Sequence, residues 1–198
     1  ERAAVVLEGV EGPASALERG YLALGGADVD GARRELARAL PGMEPARATE
    51  VVQLLASLDA LGPDAREALG RALALERRGR VDEALSSVEE GLAEGTTTDR
   101  PVLLASAARL ADRGGRHARA AAFRERLVQN HPASSQAPEA LLDLARYHAS
   151  SGGGAERAIE LLERLIVQSP ESPVVPAARR ELERLRSRPS FSSRRRGT

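Results

Sequence analysis

The sequence predicts an all-α fold, and three of its features support this prediction. Apolar residues recur at spacings of three and four along almost the whole chain, which is the period of a helix that buries one face. Glycine and proline interrupt this pattern at short intervals, as in short helices joined by tight turns. Aromatic residues make up only 2% of the chain, so Ala, Leu and Val must fill the core, which favours closely packed helices over strands.

About ten helices are expected. Prolines mark several starts, because the first helical turn needs no amide donor there: Pro13, Pro45, Pro63, Pro101 and Pro173. Glycines that relieve a positive φ mark several ends: Gly25, Gly79, Gly115 and the run 152–154. The predicted spans are 13–25, 28–40, 45–61, 63–79, 81–94, 100–113, 116–130, 135–151, 154–169 and 173–186. Residues 1–12 form an N-terminal lead-in, and the polar, arginine-rich stretch 187–198 is predicted to be a disordered basic tail.

The helices are expected to form hairpins that share one plan. A set of four residues recurs 38 positions further along the chain: Gly115, Ala120, Leu127 and Pro132, then Gly153, Ala158, Leu165 and Pro170. Earlier hairpins place a small residue at the equivalent positions Ala32 and Ala84, where it lets two helices approach closely. The predicted hairpins span about 13–40, 63–94, 100–130 and 135–169, with an extra helix at 45–61 and a capping helix at 173–186.

This plan resembles the tetratricopeptide repeat, in which a turn glycine is followed five residues later by a small alanine and then by a closing proline. The resemblance covers residues 13–186 and implies a right-handed superhelical solenoid of antiparallel helix hairpins. The marker alanines at 32, 84, 120 and 158 are separated by 52, 36 and 38 residues, whereas the usual period is about 34. The long first interval leaves open the register between the first hairpin and the second.

Two turn segments carry a narrower resemblance. Residues 130–135 read Asn-His-Pro-Ala-Ser-Ser and residues 168–173 read Gln-Ser-Pro-Glu-Ser-Pro, each followed by a new apolar helix. Residues 100–186 thereby resemble the repeats of bacterial envelope proteins, such as the Tol-Pal system periplasmic coordinator and the lipoprotein of the outer-membrane barrel assembly machinery. The resemblance implies a protein-binding scaffold of the periplasm or cell envelope, whose signal peptide or lipid anchor would lie outside the given sequence. The alternative is a sensor or regulatory module of a larger cytosolic protein.

Residue types missing from the chain exclude several kinds of chemistry. There is no Cys and every basic residue is Arg, which excludes a thiolate site, a Walker phosphate loop and a Schiff-base amine. His117, His131 and His148 lack the short spacing of paired metal ligands, and no acid, base and nucleophile can be assembled. We therefore predict no enzymatic activity, no cofactor and no metal.

Charge and hydropathy narrow the partners further. Basic and acidic residues are equal in number, 29 against 29, and no aromatic residues interleave the basic ones, so nucleic acid is not an expected partner. No apolar run approaches the roughly 18 residues of a membrane span, so we predict no transmembrane segment in this chain.

The expected binding site follows from the tetratricopeptide resemblance, which implies that the first helices of successive hairpins line a concave groove for a protein partner. The motif register places Arg109 and Asp112 on one of these helices, and Asp143, Tyr147 and Ser150 on the next. Arg109 and Tyr147 are the preferred anchors, because both residue types supply a large and orientable contact area at interfaces.

Overall fold

A computed structural model describes residues 12–151 and 153–187 of the chain. In these residues all regular structure is helical and there is no strand. The helices are α1 (Pro13–Gly25), α2 (Val29–Ala39), α3 (Pro45–Asp59), α4 (Pro63–Arg77), α5 (Val81–Glu94), α6 (Arg100–Arg113), α7 (His117–Asn130), α8 (Ala137–Ser150), α9 (Ala155–Gln168) and α10 (Val175–Ser187), with a 3-10 turn at Leu40–Gly42.

The predicted all-α repeat fold is confirmed, and each of these helices begins and ends within two residues of its predicted span. The predicted lead-in lies outside the described residues except for Gly12, and so does the predicted tail except for Ser187, which ends α10. None of the described helices combines the length and the apolar composition that crossing a bilayer requires.

The chain divides into two compact units, Glu1–Ala120 and Ala121–Thr198, and α7 contains the division. In the first unit, α1 packs on α2 and α4 packs on α5. The helix α1 also packs directly on α4, and α6 packs on α4 and α5. In the second unit, α8 packs on α9 and α9 packs on α10. Both units are thus built from adjacent helix pairs.

The extra helix α3 lies beside this stack rather than within it. Only Val51 and Leu58 of its fifteen residues are buried, and its contact with α4 is small. The direct packing of α1 on α4 answers the question of register left open by the sequence. The first hairpin stacks on the second one, and α3 is a lateral insertion in the connection between them.

The alanines that mark the repeat lie at the helix contacts. Ala32, Ala84, Ala120 and Ala158 all have no exposed surface. The backbone of Gly91 also approaches α4, since a Cβ at this position would lie 2.8 Å from the Cβ of Ala68. Small side chains therefore set how closely neighbouring helices approach, as the repeat pattern predicted.

Three of the helix reversals use glycine with positive φ, at Gly79, Gly115 and Gly153. The first reversal differs from the prediction. Gly25 ends α1 but does not have positive φ, and Ala27 takes that role with φ of 61°. Asp28 then caps α2, because its Oδ1 atom accepts a hydrogen bond of 2.8 Å from the Gly31 amide. This hydrogen bond stabilises the backbone at Asp28, the residue after Ala27. Its contribution offsets part of the free-energy cost of an alanine with positive φ.

A buried carboxylate connects two turns of the first unit. Asp99 is 3% exposed. Its Oδ1 atom accepts from the Gly62 amide at 2.8 Å, and its Oδ2 atom accepts from the amide and the hydroxyl of Thr96 at 2.9 and 2.7 Å. Burial alone would raise the pKa of Asp99, but the bonds from Gly62 and Thr96 bring that pKa below its ordinary value. Asp99 therefore holds the start of α4 next to the start of α6.

Candidate protein-binding surfaces

The five residues predicted to line a groove lie in different units. Arg109 and Asp112 are on α6 in the first unit, whereas Asp143, Tyr147 and Ser150 are on α8 in the second unit. The predicted residues therefore belong to two helix faces, one in each unit.

On the first face, Arg109 is held by a buried carboxylate of α4. Both terminal nitrogens of its guanidinium donate to the carboxylate of Glu76, one of them at 2.8 Å. Arg113 donates to the same carboxylate at 2.7 Å. The Glu76 side chain is 8% exposed, whereas that of Arg109 is 49% exposed. Arg109 is thus fixed at one edge and open to solvent at the other.

The environment of Glu76 favours the ionised form of its carboxyl group. Burial would raise the pKa of the Glu76 carboxyl, but the hydrogen bonds and charges of Arg109 and Arg113 lower this pKa below its usual value. One carboxylate serves two arginines, so this contact between α4 and α6 has an excess of one positive charge. Asp112, one turn beyond Arg109, lies 3.0 Å from the Nδ1 atom of His117 through its Oδ1 atom.

On the second face, Asp143 lies between two arginines. Its Oδ2 atom accepts from Arg124 at 3.0 Å and its Oδ1 atom accepts from Arg146 at 3.3 Å. The Arg124 side chain is only 11% exposed. Its pairing with Asp143 offsets the cost of placing a charge in this largely buried position. Asp143 therefore has a structural partner in α7.

Tyr147 and Ser150 lie near the end of α8. The half-buried Tyr147 ring meets the ring of His148 edge to face, with centroids 5.5 Å apart. The hydroxyl of Ser150 donates to the carbonyl oxygen of Tyr147 at 2.7 Å and so satisfies an acceptor in the last turn. Tyr147 offers an amphipathic contact, while Ser150 is exposed but already hydrogen-bonded.

Sequence reasoning missed a second aromatic position, Tyr21 of α1. The guanidinium carbon of Arg77 lies 4.6 Å from the centroid of the Tyr21 ring, within the range of a cation–π contact. Arg77 also donates through Nε to Glu18 at 3.1 Å, which joins α4 to α1. Burial raises the pKa of the Tyr21 hydroxyl, although the charges of Arg77 and Arg47 act against this. The contact between α1 and α4 bypasses the inserted helix α3, and residue spacing did not show this.

Two cavities lie along α1 at this place. One of 420 Å³ is lined by Glu18, Tyr21, Leu22, Ala74, Arg77 and Arg78. The other, of 560 Å³, has Glu18 and Arg77 in its wall as well and extends toward Pro13, Met43 and Arg47. The two cavities share Glu18 and Arg77, so this ion pair borders both of them. In the described part of the chain, no group of three or more His, Asp or Glu residues is arranged to hold a metal ion.

No protein-family model matches this chain, and no curated protein matches it.

Proposed function

We propose that this chain is a non-catalytic scaffold that binds other proteins through the exposed faces of its first helices. The observation that carries this proposal is the construction of the α1, α4 and α6 face in the first unit. Arg–carboxylate pairs fix large side chains there while leaving Arg77 and Arg109 31% and 49% exposed. Arginine and tyrosine held in place in this way lose little conformational entropy when a partner binds, which favours protein recognition.

The proposal includes a place for the scaffold, namely a bacterial multiprotein assembly of the periplasm or cell envelope. This part is supported by the resemblance of residues 100–186 to the repeats of envelope proteins. The Tyr147 end of α8 lies in that region and is the second surface proposed for a partner.

Site-specific photo-crosslinking in the native organism tests the function. A photoreactive residue is placed at Ala105, one turn before Arg109 on α6, or at Ser150 on α8, and at the exposed Ala93 on α5 as the matched control. We expect Ala105 and Ser150 to form defined crosslinks with envelope proteins and Ala93 to form none. Tyr147→Ala should weaken the Ser150 crosslink.

Crosslinks from Ala93 alone, or none from any position, would contradict the proposed function. Crosslinks from Ala105 and Ser150 to cytosolic proteins would support the scaffold function but contradict its proposed location in the envelope.

A further inference from the structure

We propose that the outer side of the inserted helix α3, together with the adjoining side of α2, binds a second copy of this chain. This surface is called the α3 face and consists of Asp30, Arg34, Ala37, Val52, Leu55 and Ala56. The inference goes beyond the proposed function and does not rest on it, because the surfaces proposed for other proteins lie on α1, α4, α6 and α8.

The first argument is the apolar surface that α3 exposes. Residues 51–58 read Val-Val-Gln-Leu-Leu-Ala-Ser-Leu and contain no charged residue. Only Val51 and Leu58 of this run are buried, whereas Val52 is 51% exposed. Val52, Leu55 and Ala56 are three and four residues apart and therefore lie on one side of the helix. A surface helix normally turns charged residues outward, so this uncharged side favours contact with another molecule.

The second argument is a recess beside this apolar side. A cavity of 410 Å³ between α2 and α3 is lined by Asp30, Arg33, Arg34, Ala37, Leu55 and Asp59. Ala37 and Leu55 form the apolar part of its wall, and Val52 lies one turn before Leu55. The α3 face thus has an exposed valine next to an apolar recess. Two copies related by a twofold axis can each place Val52 in the recess of the other, as an isologous interface requires.

The third argument is the charge around the recess, which is balanced. Its wall has two acidic and two basic residues, and Arg33 and Asp59 pair with each other at 3.0 Å. Within residues 12–151 and 153–187, neither Asp30 nor Arg34 forms an ion pair. A twofold axis allows Asp30 of each copy to meet Arg34 of the other. A neutral surface with one unpaired charge of each sign is complementary to itself and favours neither an acidic nor a basic partner.

The size of the α3 face sets the expected affinity. Arg47 and Glu50 lie five and two positions before Val52 and therefore on other sides of the helix, so they do not interrupt the face. A helix of the length of α3 measures about 22 Å by 10 Å. Such a face is smaller than the roughly 800 Å² per partner of a standard interface. We therefore expect a weak dimer with a Kd of about 10–100 µM.

Sedimentation equilibrium of the full chain, from about 1 to 500 µM, brackets this Kd and tests the inference. We expect the average mass to rise from 21.0 kDa and to level off at twice that value. Val52→Glu should weaken the association at least about tenfold, because it brings a charge to an apolar contact. Val167→Glu is the matched control, since Val167 is 77% exposed and lies on α9, outside the α3 face. Circular dichroism checks that both variants stay folded.

A pair of charge variants tests the twofold arrangement. Asp30→Arg and Arg34→Asp each place like charges opposite one another in the dimer, so each variant alone should associate less than the wild type. In an equimolar mixture, both charges of one copy meet opposite charges in the other. We therefore expect the mixture to regain the average mass of the wild type. Non-specific apolar association would show no such recovery.

A photoreactive residue at the exposed Ala56 identifies the occupant of the α3 face. We expect a crosslinked product of twice the chain mass. A crosslink to a different protein would assign the face to a partner of the scaffold, and a crosslink within one chain to residues 1–11 would assign it to that segment. Either result would reject the second copy as the occupant.

The inference would also be overturned by an average mass that stays at 21.0 kDa at every concentration or grows past twice that value without levelling off. Equal weakening by Val52→Glu and Val167→Glu, or no recovery in the mixture of charge variants, would contradict it as well. The crosslinks expected from Ala105 and Ser150 do not depend on α3. Failure of this inference therefore leaves the scaffold function standing, and loss of those crosslinks leaves the dimer standing.

Discussion

Ala84 shows how little space the helix contacts leave for a larger side chain. Its Cβ is fully buried in α5, whereas Ala93 in the same helix is exposed. We expect Ala84→Leu to lower the free energy of unfolding by about 1–3 kcal/mol, because added methylenes force neighbouring side chains apart. Ala93→Leu should change it by less than about 0.5 kcal/mol. Urea unfolding of both variants measures the difference, and equal stabilities would contradict the assigned contact.

Asp99 makes stability depend on pH in a defined direction. Its folded-state pKa is lowered, so the stabilisation is present above the unfolded pKa of about 3.9 and is lost as pH falls through the folded value. At pH 7 we expect Asp99→Asn to cost about 1–3 kcal/mol, because buried donors lose an ionised acceptor. Below about pH 3.9 the difference between wild type and variant should shrink.

Urea unfolding at a series of pH values measures this difference for Asp99. The comparison cancels the effect of the other carboxyl groups, which are common to both proteins. A difference that stayed constant from pH 7 to acid would show that Asp99 contributes through packing rather than through its charge.

At the scale of elements, the turn between α6 and α7 depends on one glycine of a pair. Gly115 has φ of 72°, while Gly114 lies in the ordinary negative region with φ of −82°. We expect Gly115→Ala to cost about 1–2 kcal/mol, because a Cβ disfavours the left-handed conformation. Gly114→Ala should be nearly neutral, since a Cβ there makes ordinary contacts of 3.4 Å or more. Thermal melting of both variants tests the pair, and equal losses would contradict the turn geometry.

The inserted helix α3 should be the least protected helix of the first unit. Few of its side chains are buried, and Val52 is 51% exposed. Local opening of α3 therefore uncovers little apolar surface. We expect amide hydrogen exchange over 45–59 to be at least about tenfold faster than over 63–77. Mass spectrometry of peptic fragments measures both segments. Equal protection would mean that α3 unfolds only together with α4.

Most helix limits and turns could be predicted from residues close together in the chain. Prolines and glycines act within one turn, so Pro63 and Gly115 located helix limits correctly. The place of Ala27 in the first reversal was not predicted, because its backbone is fixed by the next residue, Asp28, which caps α2. The partners of Asp99 and Tyr21 depend on contacts 37 and 56 positions away in sequence, Gly62 and Arg77. Local spacing contains no information on such contacts.

At the scale of the whole molecule, apolar packing rather than ion pairing holds each stack together. First helices are linked by Glu18–Arg77 and Glu76–Arg109 in the first unit, and α8 is linked to the capping helix α10 by Arg146–Glu181 in the second. A pair in which both side chains are partly exposed, such as Glu18–Arg77, contributes about 0–1 kcal/mol. The fully buried leucines and alanines of the helix contacts contribute more, at roughly 1.5–3 kcal/mol for each buried leucine.

Neighbouring helices should therefore share their stability. Removing residues 154–186 takes away α9 and most of α10, and α9 is the helix that packs on α8. Leu141 and Leu144 of α8 are buried in the intact unit. We expect the truncated chain to melt more than about 5 °C below the full chain, because a lone helix cannot bury its apolar face. Differential scanning calorimetry makes the measurement, and an unchanged melting temperature would argue against a stacked array.

The sideways position of α3 has a practical consequence for anyone who wishes to alter this chain. Since α1 packs on α4 without it, extra sequence at the 43–44 link before α3 is not expected to separate the two hairpins. A fluorescent reporter or an affinity tag inserted at this link should leave the packing of the first hairpin on the second unchanged.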